Sequence, residues 1–134
     1  MKSKDAKLKK KLDNLAREYV LLRDNNTCQK CGKYQEKNAN WSHVIPRSNG
    51  LRLKWNPMNS KVLCTYCHKS FWHASPIESG KWFADKFPER AIYLQEQKAK
   101  GIKKWRISEL EELIDWFLRA IENFPEEIDY PTFD

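Results

Sequence analysis

Four cysteines fall in two pairs that have the spacing of metal ligands. The pairs are Cys28-Gln-Lys-Cys31 and Cys64-Thr-Tyr-Cys67, and thirty-two residues separate them. Each pair curls two thiolates toward one point, so together they predict the closed tetrahedral site of a structural zinc ion. Disulfides and a redox C-x-x-C are the alternatives, but a reducing compartment disfavours the first and a redox motif needs no second copy. Four thiolates leave no open coordination position, so any chemistry must come from other residues.

The three histidines, His43, His68 and His73, all lie in the cysteine-containing part of the chain. Phosphodiester cleavage needs a base with a near-neutral pKa, which histidine supplies, and positive charge beside the reacting oxygens, which a divalent metal supplies. A histidine base also needs its other ring nitrogen held, which an Asn or a backbone carbonyl can do. The alternating segment Trp41–Pro46 predicts a strand that carries His43.

Three stretches of the chain together resemble the signature of the HNH, or ββα-metal, endonuclease family. They are His43-Val-Ile-Pro-Arg-Ser48, then Asn59, then Leu63-Cys-Thr-Tyr-Cys-His68. The resemblance covers residues 28 to about 73 and implies DNA phosphodiester hydrolysis. It implies that His43 is the general base that takes a proton from water. It also implies that His68 holds a divalent metal, Mg²⁺, Mn²⁺ or another ion, and that Asn59 hydrogen-bonds to the ring of His43.

One position departs from the family pattern. Many HNH enzymes have a metal-binding Asp before the first histidine, and here that residue is Ser42. His73 is the candidate for the missing ligand, although five residues on a regular helix would turn it about 140° away from His68. A non-helical turn is therefore required, and the alternative is that His73 faces solvent or packs beside Trp72. The loss of the Asp also leaves open a relative that binds DNA without cutting it.

The hydrophobic pattern predicts an α+β protein that forms one compact domain, with helices on both sides of a loop-rich core. The resemblance implies that this core is a small zinc-stapled ββα-metal unit. Residues 1–25 form a basic amphipathic helix, 26–75 the HNH core, and 76–134 a helical extension with a loosely held acidic tail. Leucines and a tyrosine at spacings of three and four predict a helix over residues 4–23. Short strands are predicted at 41–45 and 61–63, and helices at 80–87, at 88–98 and from Ser108, where Ser108-Glu-Leu-Glu111 fits a capping box.

The net charge of +7 is concentrated in the first 75 residues. Residues 26–75 carry eight Lys or Arg against one acidic residue, which favours a polyanionic partner over a merely solvated face. The predicted phosphate contacts are Arg47, Arg52, Lys54 and Lys61. Four aromatic residues beside the motif are predicted to pack in the core, with stacking on unpaired bases as the alternative; they are Trp41, Trp55, Phe71 and Trp72.

Two other classes of function stay open at this point. One is a non-catalytic zinc-stabilised module for DNA binding or assembly, and the other is an RNA-directed version of the same core. The charged N-terminus has no apolar segment behind it, which predicts a cytoplasmic protein with no membrane partner. The helical extension and residues 51–59 also resemble small phage proteins related to NinG-type recombination nucleases, which implies branched or recombining DNA as a substrate. The oligomeric state is left open.

Overall fold

A computed structural model describes residues 3–47 and 50–134 of the chain. Lys2 of the predicted basic helix and Ser48 of the predicted motif lie outside the described residues. The described part is a small α+β fold, as predicted. Its elements in chain order are α1 (Lys4–Arg23), β1 (Asn40–His43), a 3₁₀ turn (Pro57–Asn59), β2 (Ser60–Leu63), a π-helix (Cys67–His73), α2 (Pro76–Lys86), α3 (Pro88–Ala99) and α4 (Ile107–Glu122).

Helix α1 begins at a capped residue and buries its leucine stripe against α4. The Oγ of Ser3 accepts a hydrogen bond from the backbone N–H of Ala6 at 3.2 Å, which satisfies one of the free donors of the first turn. Leu12 and Leu15 pack with Leu110 in the main hydrophobic core. Each fully buried leucine contributes about 1.5–3 kcal/mol, so this helix pair is a principal source of stability.

The end of α1 also fixes the position of the sheet. Arg23 donates hydrogen bonds to the backbone carbonyls of Pro57 (2.6 Å) and Ser60 (2.7 Å). The Oδ2 of Asp24 accepts one from the backbone N–H of Val62 at 2.9 Å. These contacts attach β2 and the 3₁₀ turn to a helix that is itself held by the core.

Strands β1 and β2 form a two-stranded antiparallel sheet. Its register pairs Trp41 with Val62, Ser42 with Lys61, and His43 with Ser60. Every residue of β2 is buried. The sheet thus carries His43 at its end and a buried Ser–Lys pair directly beside it.

Several predicted boundaries and one predicted region need correction. Helix α2 begins at Pro76 rather than at 80, because a proline is tolerated in the first turn of a helix. Helix α4 begins at Ile107, and its capping box joins Arg106 to Glu109, whose Oε1 accepts from the Arg106 backbone N–H at 2.9 Å. No helix in the described ranges is long and apolar enough to cross a membrane.

The acidic tail is held rather than loose, so that prediction is wrong. The indole of Trp116 donates a hydrogen bond to the carbonyl of Asp129 at 2.9 Å. The rings of Tyr130 and Phe133 pack against the main core. Aromatic residues near the end of the chain therefore anchor a segment whose charge suggested solvent exposure.

Candidate active site and metal centre

The four cysteines converge on one point. Their sulfur atoms all lie within 4.8 Å of one another, and none of the four is in a disulfide. The Sγ atoms of Cys31 and Cys64 are 3.9 Å apart. Tetrahedral sulfur ligands of one zinc ion lie about 3.8 Å apart, so the cluster fits that ion. Gly32, with a φ of 78°, provides the tight turn after the first pair.

The ring of His43 is held by a backbone carbonyl and an indole. Its Nε2 lies 2.9 Å from the carbonyl oxygen of Lys54, and its ring centroid lies 4.4 Å from that of Trp41. Because a carbonyl can only accept, Nε2 carries the proton and Nδ1 keeps its lone pair. Burial lowers the pKa of His43 below its ordinary value. The imidazole is therefore a neutral base with a defined tautomer.

Asn59 has a different partner from the one predicted. Its side chain contacts backbone atoms instead of the His43 ring: Oδ1 accepts from the N–H of Ile45 at 2.8 Å, and Nδ2 donates to the carbonyls of Ile45 (3.0 Å) and Leu53 (3.1 Å). Asn59 is completely buried. Asn59 thus connects the segment after His43 to the turn before Lys54. The group that contacts the His43 ring is the carbonyl of Lys54.

His68 and His73 meet because the helix between them is a π-helix. Their Nε2 atoms are 3.0 Å apart. In a π-helix, hydrogen bonds between residues i and i+5 bring side chains five residues apart onto one face. This π-helix is therefore the non-α-helical turn that a shared site of His68 and His73 requires. Burial, followed by the nearby charge of His73, lowers the pKa of His68 and favours its neutral, ligating form. Two ligands at right angles and about 2.1 Å from one ion are about 3.0 Å apart, so the pair fits a divalent metal.

Among the described residues, no acidic side chain takes the place of the metal-binding Asp that the family pattern has at position 42. The cysteine cluster is the only group there of three or more His, Cys, Asp or Glu side chains close enough to share an ion. Instead, Ser42 is buried and its Oγ accepts a hydrogen bond from the Nζ of Lys61 at 3.0 Å. The Nζ of Lys61 also lies 3.1 Å from the centroid of the Trp72 ring. Burial, with a further contribution from the charge of Arg90, lowers the pKa of Lys61 to about 6.

The histidines share a single cleft with a volume of about 670 Å³. Its walls include His43, His68 and His73, together with the predicted phosphate contacts Arg47 and Lys54. All three histidines are thus brought to one surface.

Two other predicted phosphate contacts do not reach the cleft. Lys61 has no exposed surface, so its prediction as a DNA contact is wrong. Arg52 does not line the cleft and donates to the carbonyls of Gly101 (2.9 Å) and Phe133 (3.3 Å), which gives it a structural role. One residue was missed: Asp13 of α1 lines the cleft, and no local motif in its amphipathic helix marks it.

A comparison with protein families identifies this part of the chain. Residues 28–83 match the family model HNH_5, described as HNH endonuclease. This segment is similar to an HNH endonuclease domain. No curated protein and no solved structure matches the chain.

The matched segment runs from the first metal-site cysteine into α2, so it holds the cysteine cluster and all three histidines. Its family implies metal-dependent nuclease activity, and its four cysteines are positioned to bind a metal ion. Helices α1, α3 and α4 lie outside the matched residues.

Proposed function

We propose that this protein is a metal-dependent DNA endonuclease that hydrolyses phosphodiester bonds at the histidine cleft. The observation that carries the proposal is the convergence, within an HNH domain, of a tautomer-fixed His43 and the paired nitrogens of His68 and His73. A neutral base and a pair of metal ligands on one cleft are the groups that this reaction needs.

His43 acts as the general base in this proposal. Its Nδ1 takes a proton from a water molecule as the water oxygen attacks the phosphorus, and the bond from phosphorus to the leaving 3′ oxygen breaks. The other proton stays on Nε2, which donates a hydrogen bond to the Lys54 carbonyl, so the ring becomes an imidazolium in contact with that carbonyl and with Trp41. Solvent protonates the leaving oxygen and later takes the proton from His43.

His68 and His73 would hold the catalytic ion. When bound, a divalent ion stabilises the negative charge that develops on the phosphate oxygens. The four cysteines would hold a separate zinc ion, whose binding free energy counts directly as folding free energy for the loop-rich core.

DNA is the proposed polyanion because the basic charge lies on the part of the chain that builds the cleft. Arg47 is exposed at the cleft, so it can contact phosphates, whereas Lys54 lines the cleft with its ammonium paired to Asp13 at 3.0 Å. Such contacts position a strand without reading its bases, so we expect weak sequence preference.

The buried Ser42–Lys61 pair favours one alternative, a non-catalytic zinc-stabilised module for DNA binding or assembly. At the expected ligand position, the Oγ of Ser42 accepts a hydrogen bond from the buried Nζ of Lys61, so this pair takes the place of a metal ligand there. This alternative predicts DNA binding that does not depend on a divalent ion.

Cleavage of a supercoiled plasmid separates the two functions. Wild-type protein and His43→Ala are incubated with the plasmid and with Mg²⁺, Mn²⁺, Co²⁺ or Ni²⁺ in turn, with a structured RNA as a second substrate. We expect nicking by wild type and a loss of at least about 100-fold in His43→Ala, because the general base is removed. Equal zinc content in both proteins is the control for folding.

The other outcomes of this assay are also informative. DNA binding without cleavage under every ion would favour the non-catalytic module, whereas cleavage of RNA alone would assign the cleft to a different substrate. Full activity in His43→Ala would refute the proposed mechanism.

A further inference from the structure

Helix α1 reaches the cleft although it lies outside the matched HNH segment. Its residue Asp13 lines the cleft, and a single carboxylate oxygen, Oδ1, has two partners. These are the Nζ of Lys54 at 3.0 Å and the indole Nε1 of Trp55 at 2.8 Å. The carbonyl of Lys54 is the group that holds the His43 ring. Asp13 is therefore connected to the proposed base through one residue.

The Lys54–Trp55 segment needs such an anchor because it is a turn rather than part of the sheet. Asn59 holds the turn on one side by donating to the Leu53 carbonyl at 3.1 Å. Asp13 holds the next two residues through their side chains. Trp55 is fully buried in the core beside α1, so the carboxylate satisfies an indole N–H that would otherwise be buried without a partner.

We propose that Asp13 is a positioning residue of the active site, which fixes the Lys54 carbonyl and through it the orientation of the His43 ring. The inference rests on the proposed nuclease function. In this proposal α1 helps to position the active site. The matched segment without α1 should therefore have a His43 ring that is not fixed in its orientation.

The charges around His43 give this role a signature. Lys54 in the turn, Lys61 in β2 and Asp13 in α1 act on the His43 ring, and His68 faces it from the π-helix. The two lysines lower the pKa of His43 and Asp13 raises it, against the larger lowering by burial. Removal of the Asp13 charge therefore lowers the pKa of the base.

The same carboxylate opposes DNA binding, because it places negative charge in the cleft and occupies the ammonium of Lys54. A residue that only binds substrate would raise KM when it is removed. Asp13 differs, since its removal frees Lys54 for a phosphate. A fall in kcat without a rise in KM is thus expected of a positioning role.

The test compares Asp13→Asn with Asp5→Asn, a matched control on the same helix whose carboxylate forms an ion pair with Lys9 at 3.0 Å. In Asp13→Asn we expect kcat to fall by about 10- to 100-fold, because small misplacements of reacting groups cost that much. We also expect an unchanged or lower KM and an acidic limb of the pH–rate profile that moves to lower pH. Asp5→Asn should behave as wild type.

Two further variants test separately the contacts of Asp13 with Trp55 and with Lys54. Trp55→Phe keeps a core ring but removes the indole donor, so we expect a smaller fall in kcat with no shift of the pH profile. Lys54→Met keeps the backbone carbonyl but removes the ammonium, and its effect should not add to that of Asp13→Asn. Additive effects, or an unchanged kcat in both Asp13→Asn and Trp55→Phe, would overturn the proposal.

Nitrogen-15 NMR of the imidazole rings tests the geometry without any activity. Wild type should show His43 in the single tautomer with the proton on Nε2, and Asp13→Asn should show a mixture of tautomers and a lower pKa of His43. An unchanged tautomer and pKa in Asp13→Asn would refute the positioning role. Wild-type protein that shows the fixed tautomer but cuts no substrate would refute the nuclease function while retaining this link.

Discussion

Replacement of Lys61 by methionine should make this protein more stable, although it removes a hydrogen bond. Lys61 is completely buried, and in the described residues its ammonium has no carboxylate partner within an ion-pair distance. Methionine has nearly the same length and shape without the charge. The change Lys61→Met therefore removes an amine that must give up its proton on folding, while keeping the packing against Trp72.

The magnitude follows from the difference in pKa between the folded and unfolded chains. The pKa of Lys61 falls from 10.5 to about 6 on folding. Between these values the unfolded chain binds one more proton than the folded chain, so the free energy of unfolding rises with pH by about 1.4 kcal/mol per unit. At pH 7, about 3.5 units below the unfolded value, the cost of burying Lys61 is about 5 kcal/mol.

Part of this gain is lost in the variant. Methionine leaves the Oγ of Ser42 without its 3.0 Å donor, which costs about 1–3 kcal/mol. We therefore expect Lys61→Met to be more stable than wild type by about 2–4 kcal/mol at pH 7. The advantage should shrink as pH rises, because the wild type gains the stability that the variant already has.

Urea denaturation of both zinc-loaded proteins at pH 6.5, 7.5 and 8.5 measures this difference. It should fall by about 2.5 kcal/mol over the two pH units. All other groups are the same in both proteins, so their contributions cancel. A difference that does not change with pH, or a variant less stable than wild type throughout, would refute the reasoning that Lys61 loses its proton on folding at a cost in stability.

Three shorter predictions concern the zinc, the Asn and the DNA contacts. Cys28→Ser should lose tightly bound zinc and the folded core together, since the free energy of metal binding contributes to folding. Normal zinc content by elemental analysis together with a normal circular dichroism spectrum would contradict this. Asn59→Ala should lower the free energy of unfolding by about 3 kcal/mol or more, because three backbone groups lose a hydrogen-bond partner. A loss of activity with unchanged stability in urea would instead indicate that Asn59 makes a direct catalytic contact. Arg47→Ala should reduce the slope of log affinity for DNA against log salt by about 1, whereas Arg52→Ala should leave that slope unchanged in fluorescence anisotropy and lower stability.

The sequence predicts best the features that depend on neighbours along the chain. Helix α1 was predicted at its observed bounds because its apolar spacing is unbroken and Asp24 and the two asparagines after it stop the pattern. The cysteine cluster follows from spacing alone. The strand that carries His43 was predicted one residue late at its start, since Asn40 is polar but still pairs with Leu63.

The missed features depend on distant parts of the chain. Asp13 is thirty residues before His43 and shares with it only the Lys54–Trp55 turn. Lys61 has the residue type of a phosphate contact, but its place opposite Ser42 in a buried strand overrides that expectation. The meeting of His68 and His73 was left open rather than missed, because a five-residue spacing places two residues far apart on a regular helix unless the backbone hydrogen bonds shift from i+4 to i+5.

The donor set of the catalytic cleft predicts which ion it prefers. His68 and His73 offer two imidazole nitrogens, and no acidic side chain among the described residues joins them. Imidazole suits ions such as Ni²⁺, Co²⁺ and Zn²⁺, whereas Mg²⁺ prefers oxygen ligands and gives up its water reluctantly. We therefore expect calorimetric titration of the zinc-loaded protein to show Ni²⁺ binding at least about a hundredfold tighter than Mg²⁺, and His73→Ala to remove most of that preference. Equal affinities for the two ions, with no change in His73→Ala, would mean that this pair is not the metal site and that its close approach is a hydrogen bond between two rings.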